Sequence, residues 1–140
     1  MWNHSYSKIY QNVKKDAIWS LLIDINNWPD WHTNLEYCKM EDEFIIGNYF
    51  LLKPQRAPIA KVKITEVKAH KSFTDCTKFL GAKMYNTYIL EEIKGSLRLS
   101  HKLVVTGPLK WLWVMLVAKN IARTIPGEID ALVKLAKMHD

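Results

Sequence analysis

The feature that most constrains this chain is a change of hydrophobic period. Between residues 35 and 106 the apolar side chains recur in short, strand-like runs, and from residue 109 onward they recur at helical spacing. The runs fall at 35–40, 48–52, 60–67, 72–79, 84–93 and 97–106. The polar, Gly- or Pro-bearing stretches between them are too short for the crossovers that parallel strands require, so neighbours in sequence should pair antiparallel as a meander.

Residues 3–11 mix Tyr and Ile with polar alternates and read as a first strand exposed on one side. Residues 14–24 follow as a short amphipathic helix, with Ala17, Ile18, Leu21, Leu22 and Ile25 on one side. Asn12 is placed to cap it and Asp16 suits its positive end. Pro29 and two Asn residues turn the next stretch, 26–32, into a bend or a single helical loop. Two indoles so close together should not both stay in water, and Trp31 is expected to wedge between helix and sheet.

The C-terminal pattern predicts a long helix over 109–139. Leu109, Leu112, Trp113 and Leu116 share one face, and Trp111, Met115 and Ala118 widen it. Ile129, Leu132, Val133, Leu135 and Ala136 resume the stripe after Pro126-Gly127. Pro126 should kink or divide this helix. The expected fold class is therefore α+β: a curved antiparallel sheet of about seven strands wrapped around the C-terminal helix, with two short helices after the first strand. Residues 1–140 should form a single domain. A helix cannot fill the whole concave side of a bent sheet, so a mostly apolar hollow is expected between them.

Several local motifs occur in a telling order. Ala17-Ile18-Trp19-Ser20-Leu21-Leu22-Ile23-Asp24 precedes Trp28-Pro29-Asp30-Trp31; Gly47 with Phe50, then Phe73, Leu90, Gly95-Ser96-Leu97-Arg98-Leu99, Gly107-Pro108-Leu109 and Ile125-Pro126-Gly127 follow. Together they resemble the START-like, Bet v 1-like superfamily, and its polyketide cyclase/dehydrase-like branch, over nearly the whole chain. The resemblance implies a helix-grip fold and a site for lipids, sterols, polyketides or hormones; only some members of the superfamily are enzymes. One departure stands out. Leu97 occupies a place where many relatives carry Thr, so a pocket hydroxyl is missing.

The charge balance of +6 permits attraction to polyanions, but the lysines are scattered, with no block of five like charges. Lys14, Lys15, Lys61 and Lys63 fall where alternation or helix phase puts them in water. A nucleic-acid partner is not expected. Cys38 and Cys76 lack metal-ligand spacing, the five histidines form no His-x-x-x-His pair, and phosphate-loop and nucleophile-elbow motifs are absent. No metal or cofactor is therefore expected. The N-terminus lacks a basic segment leading into an apolar core, which points to a cytoplasmic setting.

Alternation places Leu97, Leu99, His101, Leu103 and Val105 on one face of the last strand. His101 is then either a core histidine tied to a neighbouring group, a hydrogen-bond partner for a ligand, or a general acid/base. Phe73 and Asp75 share a parity in their strand. Asp75 either turns inward, where it could meet His101, or is turned to solvent by a bulge near Cys76. Met84, Asn86, Tyr88 and Leu90 form a further inward row, and Trp113 and Leu116 are the choice for the helix wall opposite. The candidate ligand-binding set is His101, Leu99, Leu97, Tyr88, Asn86, Met84, Phe73, Trp113 and Leu116; His101 and Asp75 are the candidate catalytic pair. Three readings follow: a binder of a small apolar ligand, a cyclase or dehydratase using His101 with Asp75, and a lipid carrier that touches membranes through the 111–116 surface.

Overall fold

The computed structural model describes residues 1–138, so the expected helix end at His139 lies outside the described residues. The chain runs β1 (Trp2–Tyr10), α1 (Lys15–Ile23), a 3₁₀ turn (Ile25–Asp30), β2 (Leu35–Lys39), β3 (Tyr49–Pro54), β4 (Ala60–Lys68), β5 (Ser72–Phe79), β6 (Ala82–Ile93) and β7 (Ser96–Thr106). A last helix, α2 (residues 110–138), is α-helical over Lys110–Trp113, π-helical over Val114–Ala118 and α-helical again over Lys119–Met138.

The seven strands form one antiparallel sheet in the order β1-β7-β6-β5-β4-β3-β2. It is a meander except that β1 pairs with β7 at the opposite edge from β2. Curvature turns one face inward, and alternation fills that face. Leu97, Leu99, Leu103 and Val105 of β7 are buried, as are Met84, Tyr88 and Leu90 of β6. A bulge between Ile64 and Glu66 in β4 adds to the bend. α2 covers the concave side with Val114, Ala118, Ile125, Ile129, Leu132, Val133 and Ala136.

Three local expectations need correction. Asn12 adopts a positive φ of 59° in the turn before α1, and Lys14 occupies the N-cap position. Its left-handed backbone suits Asn, whose short polar side chain tolerates that region. Pro126 does not divide α2, since the α-helix Lys119–Met138 runs through it. Ile125 and Ile129 on either side are buried, so packing offsets the lost backbone hydrogen bond. The irregularity instead sits at Val114–Ala118, where a π turn takes extra residues to come round. That shift in phase brings Val114 and Ala118 inward and leaves Leu116 57% exposed, against its expected place on the inner wall.

β7 leads into α2 through Gly107, at φ +109°, a conformation few side chains adopt. A Cβ there would stand 2.5 Å from the Gly81 carbonyl oxygen, so the close approach of the β5–β6 turn to the end of β7 requires glycine. Gly107→Ala is expected to destabilise the fold by more than about 1 kcal/mol, read as a lowered urea midpoint. An unchanged midpoint would show that this junction adapts freely.

Candidate functional site

The concave face is lined with rings. The 3₁₀ turn lays Trp28 and Trp31 against the sheet, and the Trp28 indole N–H donates to the Leu22 carbonyl at 3.0 Å, holding the turn to α1. Trp28 meets Phe50 of β3 at 5.4 Å, Phe73 of β5 at 6.2 Å and Tyr88 of β6 at 6.1 Å between ring centroids. Aromatic side chains thus occupy part of the space where an open hollow is expected. Two open concavities lie elsewhere: about 440 Å³ beside the β5–β6 turn and the end of β7, and about 410 Å³ between the start of α1 and the β6–β7 turn. Neither is lined by a residue of α2.

Polar groups sit among these rings in two sets. The first follows from strand register. Asp75 pairs with Asn86 across β5 and β6, Phe73 with Tyr88, and Tyr88 in turn with His101 across β6 and β7. These residues share the inward face, and the β5 pairing is regular at Cys76, so Asp75 points inward and is only 2% exposed. The bulge that could have turned it outward lies in β4 instead.

Asp75 and His101 do not touch; Asn86 bridges them. The Asn86 amide nitrogen donates to Asp75 Oδ1 at 3.1 Å, and its oxygen faces His101 Nε2 at 3.3 Å. In this arrangement the His101 proton resides on Nε2, which donates to Asn86. Tyr88 stacks on His101 with centroids 4.2 Å apart.

Burial inverts the usual charges of this set. Desolvation pushes the Asp75 carboxyl up to about 7, against the opposing effect of the Asn86 hydrogen bond. Desolvation, followed by the charges of His32 and His4, pulls His101 down to about 3, so its ring is neutral near neutral pH. The Tyr88 phenol is held well above its ordinary value by burial, with Glu128, Asp75 and Cys38 adding to the effect.

The second set escaped the sequence reading. His32, just past the 3₁₀ turn, lies 3.0 Å through Nδ1 from Glu128 Oε2 of α2, and both residues are buried. Its ring packs on Trp31 with centroids 3.9 Å apart. His32 Nε2 is buried and has no hydrogen-bond partner among the described residues. A signal was present: Glu128 interrupts the apolar stripe of Ile125, Ile129 and Leu132, a position an acid occupies only with a partner.

Of the other candidates, Leu97, Leu99, Met84 and Phe73 are buried on the concave face. Trp113 is half-buried at the β5–β6 turn, where it stacks on Phe79 at 4.4 Å and donates to the Leu80 carbonyl at 2.8 Å. Phe79 is six residues along β5 from Phe73, so Trp113 is remote from His101.

The inverted pair has a consequence for stability. Between pH values of about 4 and 7 folded Asp75 keeps a proton that the unfolded chain releases, so alone it makes stability fall as pH rises. Between about 3 and 6.5 folded His101 lacks a proton that the unfolded chain binds, so alone it makes stability rise with pH. Over the shared window the two contributions cancel. In urea titrations, His101→Leu should expose a falling profile and Asp75→Asn a rising one, with slopes approaching 1.4 kcal/mol per pH unit. Variant profiles parallel to the parent would remove this account of the pair.

No protein-family model matches the sequence, and no curated protein matches it. Solved structures match in shape at low identity. A START superfamily protein from Mycobacterium smegmatis aligns with a TM-score of 0.74 and 14% identity, covering 99% of both chains. Norcoclaurine synthase from Thalictrum flavum, in complex with dopamine and hydroxybenzaldehyde, aligns with a TM-score of 0.71 and 15% identity over 99% of this chain and 89% of that one. The di-domain ARO/CYC protein BexL aligns at 0.72 and 12%, over 96% of this chain and 46% of its own. These likenesses and the seven-stranded sheet gripping α2 show that the chain has the START/Bet v 1 helix-grip fold.

Proposed function

We propose that this protein binds a small, largely apolar molecule with one polar group, held between the sheet and α2. The observation that carries the reading is His32 Nε2. A buried ring nitrogen left without a partner costs roughly 1 to 3 kcal/mol, which a ligand hydroxyl or carbonyl would recover. Glu128 fixes the His32 ring through Nδ1, and Trp31 and Tyr88 supply flat apolar surface beside it. Aromatic ligands suit such walls, and dehydration of their apolar surface supplies most of the affinity. Room for the ligand comes from outward movement of the early turns of α2, where the π turn interrupts the regular helix.

Asp75 favours a second, enzymatic reading of the cyclase or dehydratase kind. Its carboxyl, raised to about 7, is matched to proton transfer near neutral pH, whereas His101 at about 3 is too weak a base to share that work. The role of His101 in either reading is to orient Asn86. A reaction using Asp75 should show a pH profile with a midpoint near 7 and should be abolished in Asp75→Asn while the fold persists.

Native mass spectrometry of freshly purified protein should reveal a retained small molecule. With the protein emptied, titration with 2-naphthol is expected to shift the NMR signals of His32, Trp31 and Tyr88. His32→Leu should weaken that binding at least about tenfold through the lost hydrogen bond. Unmoved signals, together with no retained molecule, would sink the proposal.

A further inference from the structure

We infer that the first turns of α2, together with the β5–β6 turn, form a docking surface for an anionic lipid bilayer. The inference is independent of the ligand reading above. It starts from what the π turn leaves outside: Leu109, Trp111, Leu112, Met115 and Leu116 are all exposed, Trp111 by 59% and Met115 by 69%. Leu80, at the tip of the β5–β6 turn, is 80% exposed. It belongs to the same patch, because its carbonyl accepts the Trp113 indole N–H and Leu109 N–H donates to the adjoining Gly81 carbonyl. Contiguous large apolar side chains of this kind mark an interaction surface.

Charge identifies the occupant. Lys110, Lys119 and Arg123 lie on α2, Lys78 and Lys83 flank the β5–β6 turn, and Lys110 Nζ stands 5.7 Å above the Trp111 ring. Antiparallel order places the β3–β4 connection, the β5–β6 turn and the β7–α2 junction at one end of the sheet. Residues 51–62, 77–85 and 103–119, which lie at that end, contain no Asp or Glu. Glu36, near the start of β2, is paired with Lys53 at 3.3 Å. Exposed apolar side chains with cations on the same elements match the acyl boundary and anionic headgroups of a lipid surface. A second copy of the chain would bring the same cations against each other, which disfavours self-association through this face. Among the described residues no helix is long and apolar enough to cross a membrane, so the contact is interfacial.

Co-sedimentation with vesicles tests the inference. The protein should pellet with vesicles of seven parts phosphatidylcholine to three parts phosphatidylglycerol at least about tenfold more strongly than with phosphatidylcholine alone, and raised salt should weaken it. The double change Leu112→Ser and Leu116→Ser alters exposed positions, so thermal stability should hold while vesicle binding falls about tenfold. Lys110→Glu with Lys119→Glu should do the same. Equal binding to both vesicles, or binding indifferent to the Ser substitutions, overturns the inference. So does a dimer in solution that the Ser substitutions dissolve without any vesicle binding, because a second copy would then be the occupant.

Discussion

The placement of the Trp28 indole is the contact on which the rest depends. Its one polar atom is satisfied by the Leu22 carbonyl, and its faces and edges meet rings from β3, β5 and β6. One side chain thus ties the segment after α1 to three strands of a curved sheet. Edge-to-face and tilted ring contacts are directional as well as apolar, so they set how the 3₁₀ turn lies and not merely that it is buried. His32 inherits its position from this arrangement: its backbone N–H donates to the Trp28 carbonyl at 2.9 Å, and its ring comes to rest between Trp31 and α2.

Two polar sets within such an aromatic layer would be costly if they were charged and unpaired. The Asp75–Asn86–His101 set meets this constraint by shifting protonation rather than by forming an ion pair. Burial disfavours both the carboxylate and the imidazolium, and the amide of Asn86 has a donor for one side and an acceptor for the other. His32 and Glu128 meet it by direct contact, which also pins α2 to the 3₁₀ turn. Of these buried groups His32 keeps a nitrogen without a partner among the described residues, and that difference marks it as the candidate site.

The π turn of α2 connects interior and surface. By altering helix phase within five residues, it turns Val114 and Ala118 to the core and presents Trp111, Leu112, Met115 and Leu116 outward. The Lys119–Met138 part carries an ordinary amphipathic stripe, whereas the part before it is apolar on nearly every side. A helix apolar all round must find a second partner for the face that its own sheet does not cover.

The alternating runs, short connections and late switch to helical spacing were enough to read the strand order along the chain, the antiparallel pairing and the terminal helix, because period and connection length are local properties. The inward parity of Leu97, Leu99, His101, Tyr88 and Met84 was legible for the same reason. Local pattern did not decide where a bulge falls, so the direction of Asp75 waited on the register of β5 against β6. Nor could it locate the π turn, since a one-residue change of phase leaves the apolar composition unaltered, and Leu116 was placed on the wrong side. The meeting of His32 with Glu128 joins residues ninety-six positions apart. Only the tertiary structure could decide it, because that contact depends on the curvature of the sheet and the seat of Trp28, and neither is a property of any segment alone.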